Sequence, residues 1–283
     1  MLAGVFAALA ALASCSGAGL LNAITSRAGY TLTRDLAYGE GERARYDLYL
    51  PNEAGPTTSV VVFVHGGSWD TGSKDLYRFV GQSLASRGYA VAIPNYRLYP
   101  NVTFPAFVDD AARATAAVAK AAAAGREGFA AGRHPLFLMG HSAGAEIAGL
   151  LATDDHYLRD AGLRAHALAG FIGLAGPYDF LPLTDERYKK IFPPATRAAS
   201  QPVNFVDGGE PPMLLIAGDA DTTVDPRNSR SLAEKVTRAG GSVELVIVPG
   251  VDHVGAITSL ATALPLGARS IRDRVLAFLK EHA

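Results

Sequence analysis

The chain has 283 residues, 49% of them hydrophobic, which is enough to bury a large core, and α/β chains of this length often form one domain. Its 26 basic and 27 acidic side chains leave a net charge of -1 without a polybasic run, so a nucleic-acid partner or an anionic lipid surface is not suggested by charge, and a neutral small molecule is the expected substrate. Cys15 is the only cysteine, which excludes an intramolecular disulfide and any cysteine-cluster metal site.

Met1 to Ser26 carry no charged side chain, and Leu2 to Ala13 form an apolar stretch of signal-peptide length, too short to span a bilayer. Leu12-Ala13-Ser14-Cys15 resembles the lipobox of bacterial lipoproteins, although Lys or Arg is missing from the residues before it. That resemblance implies lipidation of Cys15, several acyl chains holding the protein to a membrane, and a location in the cell envelope. Residues 1–28 are then signal plus tether and residues 29–283 the domain. The competing reading is an uncleaved apolar tail or a wrongly assigned start codon, on a cytoplasmic protein.

Tyr30 to Leu36 and Ala44 to Leu50 alternate apolar and polar residues, which predicts half-buried antiparallel strands. Ser59 to Val64 is a continuous β-branched run, as in a strand buried on both faces. From there, helix and strand signals alternate: helix Leu76 to Arg87, strand Tyr89 to Pro94, Ala-rich helix Phe104 to Ala124 and strand Pro135 to Met139. Leu168 to Leu174, Met213 to Ala217 and Val243 to Val248 read as further buried strands, with helices at about Pro226 to Ala239 and Leu264 to Glu281. This order predicts an α/β fold with a mostly parallel sheet of about eight strands and helices on both faces. Between Gly176 and Pro211 the pattern lapses for about 35 residues, longer than ordinary connections. Tyr178, Phe180, Tyr188, Phe192 and Phe205 lie in this stretch, which reads either as a surface excursion or as a small cap over a pocket.

Gly140-His141-Ser142-Ala143-Gly144 follows the strand ending at Met139 and precedes the helical run Ala145 to Leu151. A strand, a tight turn carrying serine and a helix expose the hydroxyl above the sheet, so Ser142 is a candidate nucleophile. A Gly-x-Ser-x-Gly match arises by chance in roughly one shuffled chain in six, so the context carries the inference. Serine needs a base, and the base an orienting carboxylate; in such sheets both come from loops at the carboxyl ends of strands. The loop after Val248 contains Asp252 and His253, and the loop after Ala217 contains Asp219, Asp221 and Asp225. His253 is the expected base. Asp221 is favoured as the acid because it lies a few residues past the strand end, from where it can reach back to the imidazole. His141, beside the nucleophile, reads as a packing residue pointing elsewhere.

Val64 runs into His65-Gly66-Gly67-Ser68-Trp69, where small residues allow backbone N–H groups to approach a substrate oxygen. With the Ala143 N–H, donors there would face charge developing on a carbonyl oxygen. His65 reads as a support for this loop, and Trp69 as a pocket wall, a packing anchor or both.

The His-Gly-Gly-x-Trp and Gly-His-Ser-Ala-Gly motifs, in this order, resemble α/β-hydrolases of the carboxylesterase type, in the branch of kynurenine formamidases and isoprenylcysteine methylesterases. The likeness spans about Tyr30 to Ala283. It implies an α/β-hydrolase fold with a small or absent cap, a Ser142, Asp221 and His253 triad, and an oxyanion hole from the Gly67, Ser68 and Ala143 N–H groups, with Gly66 in the supporting loop. Asn95 stands where the resembling segment usually begins with Asp, and Ser68 where hormone-sensitive-lipase relatives have a third glycine. The implied activity is hydrolysis of small to medium acyl esters, with no cofactor and no metal; amide cleavage by the same triad is the alternative, and a non-catalytic binding protein on this scaffold ranks third. Oligomeric state is not legible.

Overall fold

The computed structural model describes residues 19, 21–164, 166–264 and 267–283; Cys15 and the apolar run before it lie outside the described residues. In chain order the elements are β1 (Tyr30–Ala37), β2 (Arg45–Pro51), β3 (Val60–Val64), a 3-10 turn (Lys74–Tyr77) leading into α1 (Arg78–Ala85), β4 (Ala90–Pro94), α2 (Ala106–Ala123), β5 (Leu136–His141) and α3 (Ala143–Thr153). Then follow α4 (His156–Asp160), β6 (Gly170–Leu174), α5 (Glu186–Ile191), β7 (Met213–Gly218), α6 (Arg227–Arg238), β8 (Val243–Val248), α7 (His253–Thr258) and α8 (Arg269–Glu281). Eight strands form one sheet in the order β1-β2-β4-β3-β5-β6-β7-β8. β1 and β2 pair antiparallel, β2 is antiparallel to β4, and every other pairing is parallel.

The β-branched run of β3 explains the two-sided core. Val60, Val62 and Val64 pack with α2, α3 and α6 on one face, while Val61 and Phe63 pack with α1, α7 and α8 on the other. Each such side chain, fully buried, contributes about 1.5–3 kcal/mol. Because successive residues along a strand point to opposite faces, these five residues of β3 contribute to both helix layers.

Two strands differ from expectation. β2 is buried along almost its whole length, although its alternation predicts a half-buried strand. Its polar residue Asp47 is fully buried and accepts an ion pair from Lys74 at 2.8 Å, and Lys74, itself 4% exposed, also reaches Asp35 at 2.8 Å. A residue 27 positions away in the chain thus neutralises the one side that the pattern assigns to solvent. β8, expected to be buried, is only partly covered because it is the sheet's edge and pairs with β7 alone. The segment read as a tether also has structure at its end: Leu21 is 3% exposed, and Asn22 donates to the Asp75 carbonyl and accepts from the Phe79 N–H.

The interval between β6 and β7 contains α5 and two short 3-10 turns, Arg197–Ser200 and Pro202–Phe205. Ile191 and Phe192 are fully buried, so this interval is packed onto the sheet layer and is not a solvated excursion. Its importance lies in what it touches at the carboxyl ends of β3 and β5.

Candidate active site

The carboxyl ends of β3, β5, β7 and β8 converge on one rim, where parallel strands open toward ligands. Ser142 follows β5 directly, with φ 56 and ψ -127, a strained conformation for a residue bearing a Cβ. Its N–H donates to the Leu174 carbonyl at 3.0 Å. The turn is possible because Gly144 has no side chain: a Cβ there would stand 2.1 Å from the Val64 carbonyl oxygen, backbone that cannot swing aside.

His253 opens α7, whose N-cap Asp252 accepts from the Gly255 N–H at 2.6 Å. The imidazole bridges two partners, with the Ser142 hydroxyl 2.8 Å from Nε2 and Asp221 Oδ2 2.8 Å from Nδ1. These partners assign the proton to Nδ1, which donates to the carboxylate and leaves Nε2 as acceptor for the serine hydroxyl. The Asp221 side chain is fully buried, and its Oδ1 accepts from the Thr223 and Val224 N–H groups at 2.8 and 2.9 Å. Burial alone would raise the Asp221 carboxyl pKa, but the His253 hydrogen bond and charge, with the two N–H donors, outweigh it and hold it below the ordinary carboxylate range.

The other aspartates of these loops have structural partners. Asp219 accepts from the Gly250 N–H at 2.6 Å, tying the β7 and β8 loops together, and Asp225 accepts from the Arg227 N–H at the start of α6. Asp252 is the cap just described.

His141 differs from its sequence reading. Its ring centroid lies 4.8 Å from that of His253, and its Nε2 donates to the His253 carbonyl at 3.1 Å. Burial, reinforced by the neighbouring His253, lowers its pKa to about 3. A neutral His141 therefore holds the His253 backbone without placing a cation beside its ring. Strand alternation predicts which face a residue takes, not which distant loop folds over that face, so no local signal marked this contact.

The loop after β3 runs against Ser142: a Cβ on Gly66 would stand 3.2 Å from the Ser142 Cβ. The Gly67 carbonyl accepts from the Asp70 and Thr71 N–H groups at 3.2 and 2.9 Å and from the Thr71 hydroxyl at 2.8 Å, closing a tight turn. Gly67, Ser68 and Trp69 all have positive φ, at 130, 53 and 63. Ala143 is the first residue of α3, so its N–H is one of the helix-start donors without an intrahelical acceptor. His65 is fully buried, donates from Nδ1 to the Gly66 carbonyl at 2.8 Å and stacks on Tyr96 at 4.4 Å; burial lowers its pKa to about 4, so it too is neutral. Asn95 accepts from the Lys74 N–H at 2.7 Å, a positioning contact that needs no charge.

Trp69 is 5% exposed and is enclosed by the β6–β7 interval. Its ring meets Phe192 edge-on at 4.8 Å, Tyr188 edge-on at 5.8 Å and Phe180 at 5.9 Å, while Arg187 of α5 forms an ion pair with Asp70. A separate cleft of about 300 Å³, bounded in part by Asp154, His156, Arg159 and Glu210, lies at the far end of α3 and shares no residue with this arrangement.

A serine on a strained strand-to-helix turn, hydrogen-bonded through histidine to a buried aspartate at the rim of this sheet, places the protein in the α/β-hydrolase fold class. The chain belongs to the BD-FAE family, whose model matches residues 46–236. Among similar proteins, an isoprenylcysteine alpha-carbonyl methylesterase of Arabidopsis thaliana is 29% identical over 242 residues, covering 78% of this chain and 56% of that protein. The chain thus spans little more than half the length of this relative. A kynurenine formamidase of Danio rerio is 30% identical over 235 residues, 80% of this chain and 76% of that protein. Of solved structures, esterase B from Lactobacillus Rhamnosis superposes with a TM-score of 0.79 at 21% identity, over 100% of this chain and 94% of that one, which shows the shared fold.

Proposed function

We propose that this protein is a serine hydrolase that cleaves carboxylic esters bearing small to medium acyl groups. The observation that carries the reading is the continuous relay from the Ser142 hydroxyl through His253 to Asp221, with both links at 2.8 Å. In this reading Ser142 Oγ attacks the ester carbonyl carbon as its proton passes to His253 Nε2. The resulting imidazolium is stabilised by the Asp221 carboxylate. The N–H groups of Gly67, Ser68 and Ala143 receive the negative charge that develops on the carbonyl oxygen. Collapse of the tetrahedral species expels the alcohol, which takes the proton from Nε2. Water, deprotonated by the same nitrogen, then resolves the acyl-serine.

The size preference is motivated by the lack of a large cap domain: among the described residues, the interval between β6 and β7 holds only α5 and two short 3-10 turns, and its Phe180, Tyr188 and Phe192 pack on the Trp69 indole. A series of p-nitrophenyl esters of increasing acyl length tests this: kcat/KM is expected to peak at acetyl to hexanoyl and to fall at longer chains, whereas a rising profile toward palmitoyl would refute it. Amide cleavage is the second reading, favoured by the kynurenine formamidase relative, since an identical relay serves both bonds. Turnover of N-formylkynurenine at a kcat/KM above that of p-nitrophenyl butyrate would select it.

A further inference from the structure

Glu146 is a buried carboxyl group that the acyl-transfer steps leave unused. It lies in the first turn of α3, four residues after Ser142, and its own N–H donates to the Ser142 carbonyl at 3.2 Å. The residue is fully buried in a helix otherwise made of Ala, Gly, Ile and Leu around it. Its Oε2 accepts from the Trp69 indole N–H at 2.9 Å, and Oε1 has no hydrogen-bond partner among the described residues. Burial, opposed by the Trp69 hydrogen bond, raises its pKa well above the ordinary glutamate range. A polar group held in an apolar helix face is costly unless it satisfies a partner, and the partner here is the indole.

The indole, in turn, belongs to a strained loop. Ser68 and Trp69 are consecutive non-glycine residues in the left-handed region, a state that persists only where the surroundings over-determine it. The Phe192, Tyr188 and Phe180 contacts fix where the ring lies, and the Tyr99 N–H holds the Trp69 carbonyl at 3.0 Å. Ring-to-ring packing is only weakly directional, whereas the N–H bond to Glu146 sets the ring's orientation relative to α3. Ser142 and the Ala143 N–H lie at the start of α3, whereas the Gly67 and Ser68 donors of the proposed oxyanion hole come from the loop after β3. Their relative placement decides how well developing charge is met.

We propose that Glu146 is a positioning residue: through the Trp69 indole it locks the loop that carries the Gly67 and Ser68 N–H groups in register with α3, the helix that Ser142 caps. This rests on the acyl-transfer reading given above. A contact of this kind acts on the transition state more than on bound substrate, so its loss lowers kcat with little change in KM.

Steady-state hydrolysis of p-nitrophenyl butyrate is compared for wild type, Glu146→Gln, Glu146→Leu, Trp69→Phe and the double variant Trp69→Phe/Glu146→Gln, with a fluorophosphonate labelling assay on wild type. Glu146→Leu, which removes the acceptor, is expected to lose about ten- to a hundredfold in kcat with KM within about threefold. Glu146→Gln keeps a neutral oxygen acceptor and is expected within about threefold of wild type. Trp69→Phe should match the Glu146→Leu loss, and adding Glu146→Gln to it should cost nothing further. Because Trp69 is the only tryptophan, protein fluorescence reads the contact directly: the emission maximum is retained in Glu146→Gln and shifted in Glu146→Leu. Should Glu146→Leu fail to fold, the Glu146→Gln, Trp69→Phe and double variants carry the comparison. A folded Glu146→Leu with wild-type kcat, a Glu146→Gln as impaired as Trp69→Phe, or a further loss in the double variant overturns the inference while an active, labelled wild type leaves acyl transfer standing. A wild type that neither turns over ester nor takes the label overturns both.

Discussion

Ser142→Ala is expected to lower kcat on p-nitrophenyl butyrate by about a millionfold, leaving the residual rate that a folded pocket without its nucleophile supplies. The size of the effect follows from the geometry. In the proposed reading the serine hydroxyl is the group that the relay activates, and His253 cannot attack a carbonyl through the same nitrogen without leaving the hydrogen bonds that orient it. Alanine occupies the same strained turn with a smaller side chain, so the fold should survive. Circular dichroism and thermal unfolding close to wild type are therefore part of the expectation, and a folded Ser142→Ala protein with activity within tenfold of wild type would contradict it.

Asp221→Asn is expected to cost about ten-thousandfold in kcat while keeping the side-chain shape. The amide loses the charge that stabilises the imidazolium, and it can present its NH2 to His253 Nδ1. The ring then carries its proton on Nε2, the nitrogen that has to accept from Ser142. A pH signature accompanies the loss. Asp221 has a folded-state pKa below the ordinary carboxylate range, so its contribution to stability is fully present above the unfolded carboxylate value. That contribution disappears as pH falls through the lower folded value. Acid unfolding of wild type should therefore include a carboxylate-linked limb that Asp221→Asn lacks, read by the pH dependence of the urea midpoint.

The core strands and the glycine-flanked serine could be read from local pattern because they obey local rules. β3 is β-branched throughout since it is buried on both faces, and the strand, turn and helix around Ser142 require small residues where two backbones cross. The loops holding Asp221 and His253 were found by a topological argument, that parallel strands gather ligands at their carboxyl ends, and the structure brings both side chains to Ser142. What stayed hidden depends on partners distant in the chain. Asp47 looks like a solvent-facing strand residue until Lys74 arrives to pair with it. The edge position of β8 is a property of the whole sheet, not of Val243 to Val248. Helix α5, with six residues, is too short to show a period, and it is held by Trp69, Asp70 and the sheet layer. His141 reads as a packing residue beside Ser142, and Glu146 is one position in the helical run Ala145 to Leu151. Their contacts with His253 and Trp69 arise only when β5, α3, α7 and the loop after β3 are folded onto one rim.

The proposed acyl transfer requires Ser142 to be activated in the folded protein by its link to His253. Mass spectrometry of native protein treated with a fluorophosphonate tests it most directly. The expected result is one adduct per chain, on the peptide containing Ser142, abolished in Ser142→Ala and strongly slowed in His253→Ala and in urea-unfolded protein. An unlabelled native protein, or labelling of Ser142 that proceeds equally fast in His253→Ala, would contradict it.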